Sequence, residues 1–459
     1  MGETTDHRHM SPTEAMMWNL ESDPWLAPSG GSVVVYDQPL DDERFRRAIA
    51  ASVAEVPRLR QRVLPGAGGV AAPRWVADRE FDLDWHVRRI GAPGNGTLRE
   101  LLDWTTPYFQ DAYDRSRPLW QFVIVDGLEG GRGALVAKLH HTISDGEGAI
   151  VMAMKYTALQ RDVPAPDPVD LDAIVAAEPV EDEGPVGVAL DAVGQTVRAS
   201  ARAGRDMLER MASPQGWRRA RDETADLMKS AADTRQSAGS ELWSKRSRRR
   251  HMEVIDLPFD EVRAAAKALG GTINDFFVTG LVEGTRRYHE RAGVPLDRVH
   301  TSFVVSTRTD ESAENAFTPV PVDIPLTDQS LAERFTSIGA LLLDKREQVH
   351  GEGPIALVAG LVNLIPASVA SSVARSQAAH LDFATSNLQG FLGDTYVAGA
   401  KTLHSYPFGP LAGTAMNATQ VSMNEFLDIG LHIDPVAVAE PAVLRSLIDD
   451  AYRDLLDAA

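Results

Sequence analysis

A break in composition after the first third of the chain constrains the fold more than any other feature. Residues 161–185 contain five prolines and eight acidic side chains but only one basic side chain. Such a stretch buries little apolar surface, so it favours an acidic linker or crossover over a core element. The residues on either side must then form cores of their own, and 459 residues are enough for two domains.

The segment that follows the linker has the opposite charge. Residues 186–250 are rich in Ala, Arg and Met, carry 14 basic and 8 acidic side chains, and include Trp217 and Trp243. One interpretation is a solvated charged helix and connector. The other is a basic, Trp-bearing surface that contacts anionic lipid. We therefore predict an N-terminal lobe over 1–160, a linker and basic connector over 161–250, and a C-terminal lobe over 251–459.

Both lobes show alternating strand and helix patterns. Short β-branched and aromatic runs predict strands, and amphipathic runs with acidic starts predict helices. The predicted strands are 32–36, 119–125, 134–140, 301–306 and 427–433. The predicted helices are 41–53, 98–113, 148–160, 262–269, 273–289, 332–349 and 443–456. This pattern predicts an α/β protein with two lobes and a site between them.

Composition excludes several classes of function. The net charge of −19 disfavours nucleic acid as a partner, since phosphate contacts need a cationic face. The lack of cysteine excludes disulfide scaffolds, thiol catalysis and cysteine-ligated metals.

No signal peptide is recognisable in the first 20 residues, so we predict a cytoplasmic protein. The charge-free stretch 353–374 predicts a buried helical pair broken at Pro366, with a membrane-surface element or a span as alternatives.

The strongest chemical signal is the run His-His-Thr-Ile-Ser-Asp-Gly at 140–146, which ends a predicted strand and precedes a helix. Adjacent strand residues point to opposite faces, so His140 and His141 are not expected to bind one metal ion. One imidazole can face a cleft as a general base while the other packs behind it. Asp145 can brace the loop or pair with an arginine, and Gly146 tolerates unusual backbone angles. Purely structural histidines and a metal ligand stay open as alternatives.

Several further segments occur in the same order as in a known family. With the histidine motif, the chain resembles the bacterial wax ester synthase / acyl-CoA:diacylglycerol O-acyltransferase family, within the coenzyme A-dependent acyltransferase superfamily. The resemblance covers nearly the whole chain and implies a two-lobed, chloramphenicol acetyltransferase-like α/β fold with the active site between the lobes. The matching segments are 10–16, 81–87, 114–120, 140–146, 272–275, 304–308 and 386–387.

The resemblance also implies roles for individual residues. His141 would take the proton of an acceptor hydroxyl, which attacks the thioester of acyl-CoA without a covalent acyl-enzyme. Asp145 would hold the motif loop, through a salt bridge to Arg308. Asn274 would polarise the carbonyl, or it caps its helix. The remaining site residues of the motif are His140 and Gly146, and Asp275 and Asn387 would support the site. A substrate-channel role is implied for Pro118, Leu119 and Trp120, with core packing as the alternative.

Acyl-CoA and a hydroxyl lipid, diacylglycerol or a long-chain alcohol, are the implied substrates. No metal or other cofactor is implied, and peripheral association with a membrane or lipid droplet is expected. Three segments of the second lobe depart from the family pattern, at 314–315, 388–390 and 422–425. The same chemistry on another acceptor, such as a polyketide or glycolipid hydroxyl, therefore stays open. So does a catalytically weak lipid-binding protein.

Overall fold

The computed structural model describes residues 9–21, 23–26, 29–66, 73–143, 146–179, 239–306, 317–348 and 367–459. The strands are β1 Ser29–Tyr36, β2 Gln61–Leu64, β3 Arg74–Ala77, β4 Val87–Gly91, β5 Trp120–Leu128, β6 Arg132–His140, β7 Thr157–Ala158, β8 His251–Pro258, β9 Arg298–Ser306, β10 Phe317–Pro325, β11 Phe383–Gln389, β12 Tyr396–Val397, β13 Ala400–Phe408, β14 Met416–Met423 and β15 Phe426–Ile433. The helices are α1 Pro12–Leu20, α2 Asp42–Glu55, α3 Leu83–His86, α4 Leu98–Gln110, α5 Gly146–Met154, α6 Leu171–Ala177, α7 Phe259–Ala268, α8 Ile273–Arg291, α9 Leu331–Glu347, α10 Ala367–Ala378 and α11 Pro441–Asp457.

The first lobe is built on a seven-stranded sheet of order β4-β5-β6-β1-β13-β12-β7. The strands predicted at 119–125 and 134–140 are β5 and β6, which pair antiparallel on either side of the Gly-rich turn at 127–133. β1 lies between β6 and β13 and pairs antiparallel with both. Alternation along β1 sends Val33 and Val35 into a buried cluster that also holds Leu101 of α4.

The second lobe has a six-stranded sheet of order β10-β9-β11-β14-β15-β8. Helices α7, α8, α9 and α11 pack with this sheet in a single core cluster, and α8 is buried on all sides from Asp275 to Thr285. α8 begins where the sequence predicts because Thr272 and Asp275 form a capping box, which satisfies the first backbone N–H groups. Gly280 lets α11 approach closely, since a Cβ there would lie 2.1 Å from the Tyr452 ring.

The two lobes are joined by residues that lie late in the chain. β12 and β13 belong by position to the predicted C-terminal lobe, 251–459, yet they pair within the first sheet. The end of β13 packs on β15 so closely that a Cβ on Gly430 would lie 1.9 Å from the carbonyl oxygen of Pro407. Nearby, the buried carboxylate of Asp428 accepts hydrogen bonds from His404 Nδ1 at 3.0 Å and Ser405 N at 2.6 Å. The lobes are therefore interlocked by a strand rather than simply apposed.

The acidic linker is ordered where it is described. α6 follows its proline-rich start, and Arg79 Nη1 donates to the carbonyl of Val175 at 2.6 Å. Glu178 pairs with Arg60 at 2.6 Å, which fastens the end of the described stretch to the first lobe. Residues 180–238, with Trp217 and most of the basic connector, lie outside the described residues.

Trp243 does not support the lipid-contacting interpretation of the basic connector. Its side chain is fully buried in the second-lobe core, with its ring centroid 4.7 Å from that of His289. The adjacent Arg246 donates to the carbonyl of Leu381 at 2.9 Å. The basic run therefore follows a tryptophan that anchors the chain in the core. Burial of the apolar Trp243 ring outweighs the charge of the residues beside it in the sequence.

Candidate active site

The histidine motif lies where β6 ends. His140 is the last residue of that strand, His141 begins a turn, and Gly146 opens α5. His140 is completely buried while His141 is half-buried, as expected for neighbours that point to opposite faces. Ser144 and Asp145 lie outside the described residues.

His140 is held as a neutral imidazole. The backbone N–H of Thr142 donates to its Nδ1 at 3.1 Å, so the proton of the neutral ring is on Nε2. Burial, and after it the nearby His141 and Arg115, lower the pKa of His140 to about 3. A ring with so low a pKa is a weak base at neutral pH, so His140 is suited to shaping the turn rather than to proton transfer.

His141 faces the junction of β1 and β13. A Cβ placed on Gly30 would lie 3.4 Å from His141 Nε2 and 3.3 Å from the carbonyl oxygen of Phe408. The neighbouring Gly31 is paired with Phe408 across the β1–β13 ladder. Glycine at position 30 therefore keeps open the space beside Nε2, which is the nitrogen that faces the inter-lobe strand.

The second lobe contributes a pair of amides. Asn387 Nδ2 donates to Asn274 Oδ1 at 3.2 Å and thereby joins β11 to the first turn of α8. The helix cap is Thr272, whose side chain accepts from the N–H of Asp275, so the capping alternative for Asn274 is wrong. Asp275 Oδ2 in turn accepts from both N and Oγ1 of Thr272, each at 2.8 Å. α5 contacts β11, which brings the motif helix to the strand that carries Asn387.

Pro118, Leu119 and Trp120 are buried at the start of β5. The carbonyl of Leu119 accepts from the N–H of His140 at 3.0 Å, and Trp120 Nε1 donates to the carbonyl of Leu59 at 2.8 Å. These contacts fit the packing interpretation and show how the segment sets the position of the His140 backbone. A substrate-channel role for these residues stays a prediction.

The proposed ion pair between Asp145 and Arg308 lies outside the described residues. Within the described ranges, no cluster of three or more His, Cys, Asp or Glu side chains could hold a metal ion. Gly30, beside His141, is a residue of the candidate site that was not predicted from the sequence. The signal was available, because paired glycines inside a β-branched strand indicate a close approach of another group.

Comparison with known proteins places this geometry in a family. Residues 10–277 match the family model of the wax ester synthase/diacylglycerol acyltransferase catalytic domain. Residues 313–456 match the family model of the C-terminal domain of the same family. A putative diacylglycerol O-acyltransferase of Mycobacterium tuberculosis H37Rv is 30% identical over 458 residues, which cover 98% of this chain and 92% of that protein. A probable diacylglycerol O-acyltransferase of the same strain is 28% identical over 471 residues, covering 98% and 99%.

Solved structures agree on the fold. The wax ester synthase/diacylglycerol acyltransferase from Marinobacter aquaeolei VT8 superposes with a TM-score of 0.66 at 18% identity, covering 98% of each chain. The first condensation domain of the calcium-dependent antibiotic synthetase gives a TM-score of 0.60 at 17% identity, covering 98% of this chain and 97% of that one. The predicted two-lobed α/β fold is confirmed. Since both family domains match in order along the chain, this protein belongs to the wax ester synthase/diacylglycerol acyltransferase family.

Proposed function

We propose that this protein transfers the acyl group of acyl-CoA to a lipid hydroxyl, forming triacylglycerol from diacylglycerol, a wax ester from a long-chain alcohol, or both. The observation that carries the proposal is His141, half-buried where β1 and β13 meet, with the space beside Nε2 kept open by Gly30. A half-buried base can be reached by an acceptor hydroxyl, and its burial limits access of water.

His141 is the general base of the proposed reaction. Its Nε2 takes the hydroxyl proton as the acceptor oxygen attacks the thioester carbonyl. The carbon–sulfur bond then breaks, and the imidazolium returns the proton to the sulfur of coenzyme A. Burial of His140, with its pKa near 3, leaves His141 as the member of the pair suited to hold a proton during the reaction.

The Asn274–Asn387 pair is the proposed support on the second lobe. Because Asn274 Oδ1 accepts the bond from Asn387, the Nδ2 group of Asn274 is the end that can donate to a developing oxyanion. Asp275 keeps the first turn of α8 in place through the capping box. Asp145, paired with Arg308, is proposed to hold the motif loop on grounds of family resemblance.

Peripheral association with a membrane or lipid-droplet surface, in the cytoplasm, supplies the lipid acceptor in this proposal. Val151 on the motif helix α5 and Leu159 just after β7 are 61% and 57% exposed, so two apolar side chains that follow the motif in the sequence face outward. In the part of the chain that the structure describes, no helix is both long enough and apolar enough to cross a bilayer.

The test is thiol release from palmitoyl-CoA with diacylglycerol, with hexadecanol or with no acceptor. His141→Ala should lower acceptor-dependent release by about 10²- to 10⁴-fold, the usual contribution of a general base. His251→Ala is the matched control, because His251 is also a half-buried histidine but pairs with Glu253 on β8. Acceptor-dependent release that is equal in wild type and His141→Ala would overturn the proposed role of His141.

One observation keeps another acceptor as the second candidate. Two of the segments that depart from the family pattern are neighbours in space, since Gly390 N donates to the carbonyl of Ser422 at 3.0 Å. The first of them follows Asn387 directly. A glycolipid or polyketide hydroxyl in the same assay, releasing thiol faster than diacylglycerol and hexadecanol do, would favour this candidate.

A further inference from the structure

We infer that Glu21 is a positioning residue for the active site, acting with Arg115 on the buried ring of His140. The inference rests on the proposed function of His141 as the base. Glu21 lies at the end of α1, more than a hundred residues from the motif, and its side chain is only 8% exposed. Its backbone N–H bonds to the carbonyl of Met17 at 3.1 Å, which holds the residue at the helix terminus.

Arg115 fixes one oxygen of the Glu21 carboxylate. Arg115 Nη2 lies 2.7 Å from Glu21 Oε2 and also donates to the carbonyl of Trp18 at 3.4 Å. The guanidinium carbon lies 4.0 Å from the centroid of the Trp18 ring, a cation–π distance. Three contacts on one guanidinium restrict its rotation, so the carboxylate that it binds is restricted too.

The other carboxylate oxygen faces the motif. Glu21 Oε1 lies 3.6 Å from His140 Nε2, and that nitrogen has no hydrogen-bond partner among the described residues. Nε2 carries the ring proton, because Nδ1 accepts from the backbone of Thr142. A carboxylate on the proton-bearing side lowers the free energy of this tautomer relative to the one protonated on Nδ1. At 3.6 Å the contact is electrostatic and is not a hydrogen bond, and its effect on the tautomer comes from the negative charge beside the Nε2 proton.

The tautomer of His140 controls the turn that presents His141. With the proton on Nε2, Nδ1 is an acceptor for the Thr142 N–H, and the turn after β6 closes. With the proton on Nδ1, the ring would donate to Thr142 Oγ1, 2.7 Å away, but the backbone N–H of Thr142 would lose its acceptor and the turn would have to change. Tyr113, whose ring meets His140 edge-on at 5.6 Å between centroids, restrains the ring plane but not its tautomer. Thr142 acts on the Nδ1 side of the ring, and Glu21 is the described carboxylate placed on the Nε2 side to favour the same tautomer.

The experiment uses full-length Glu21→Ala and Glu21→Gln, with Glu14→Gln as the matched control. Glu14 is a second buried acid of α1, but its carboxylate accepts from the backbone N–H of Ser11 at 2.7 Å instead of facing the motif. We expect Glu21→Ala to lower kcat for thiol release by at least about tenfold with KM for palmitoyl-CoA changed less than threefold. Glu21→Gln should retain more activity, because its amide oxygen keeps a partial negative charge beside Nε2–H. Glu14→Gln should match wild type.

A second readout does not depend on activity. The ring nitrogens of ¹⁵N-labelled histidine report the tautomer, and the His140 signal is assigned with His140→Gln. Wild type should show the proton on Nε2, and Glu21→Ala should show a substantial population protonated on Nδ1. An unchanged tautomer in Glu21→Ala would overturn the inference even if the enzyme is an acyltransferase. Active His141→Ala would refute the proposed base while leaving the tautomer result to decide the role of Glu21.

Discussion

Replacing Gly30 with alanine is expected to remove activity while leaving the fold intact. The added Cβ would lie 3.4 Å from His141 Nε2 and 3.3 Å from the carbonyl oxygen of Phe408. The contact with Phe408 is tight by an amount that a shift of a few tenths of an ångström relieves, and the contact with His141 is at van der Waals distance. We therefore expect the free energy of unfolding to change by less than about 1 kcal/mol.

The effect on catalysis should be much larger. An acceptor oxygen must come within about 2.6–3.2 Å of the base to lose its proton. A methyl group 3.4 Å from the same nitrogen occupies part of that shell and displaces the hydroxyl by about 1 Å. Such a misplacement costs about 10²-fold in rate, which corresponds to about 2.7 kcal/mol in the activation free energy.

Gly31→Ala is the neighbouring variant with the opposite expectation. Its Cβ would lie 2.2 Å from the carbonyl oxygen of Ala137 and 2.5 Å from Phe109 Cζ, so β1 and β6 would have to separate. We expect a loss of about 1–3 kcal/mol in stability or more. Thermal unfolding and acceptor-dependent thiol release are measured for both variants. A Gly30→Ala enzyme with wild-type stability and more than a third of the wild-type kcat/KM would refute the reasoning.

Three further predictions concern stability. Gly430→Ala should destabilise the protein by at least about 2 kcal/mol in denaturant unfolding, because its Cβ would lie 1.9 Å from the carbonyl oxygen of Pro407. Wild-type stability of this variant would contradict the prediction and would show that β13 and β15 separate at no cost. Burial lowers the pKa of His404, but the hydrogen bond and charge of Asp428 outweigh it, so the folded pKa is raised. Burial also raises the pKa of Asp428, so the stabilisation from this pair is absent at low pH, where that carboxylate is protonated. Once Asp428 is ionised, the stabilisation is complete up to pH about 6.5 and is lost as the pH rises through the folded pKa of His404. The difference in unfolding free energy between wild type and Asp428→Asn should therefore be larger at pH 6 than at pH 9, and a difference independent of pH would contradict the assignment. Thr272→Ala should lower the free energy of unfolding by about 1 kcal/mol through loss of the helix cap, and an unchanged midpoint would argue against the capping box.

Local rules account for much of what could be predicted from the chain. The strands on either side of the Gly-rich turn, and the start of α8 at Thr272, follow from residue patterns and capping chemistry within a few positions. The order of the family motifs predicted the fold and the family, and the position of His140 and His141 at a strand end predicted their opposite orientations. Neighbours along the sequence determine the strands, the helix start and the two orientations, and the order of the motifs along the chain indicates the family, so the sequence alone was sufficient for these properties.

Tertiary structure decided which of these pieces meet. The insertion of β13 into the first sheet, Gly30 beside His141 and Glu21 behind His140 all join parts of the chain that are far apart in sequence. Hydrophobic periodicity shows which face of an element is buried but not the partner against which it is buried. For the same reason a tryptophan beside a basic run was open to a surface interpretation. The fully buried Trp243 shows that packing against α8, and not the charge of its sequence neighbours, sets its place.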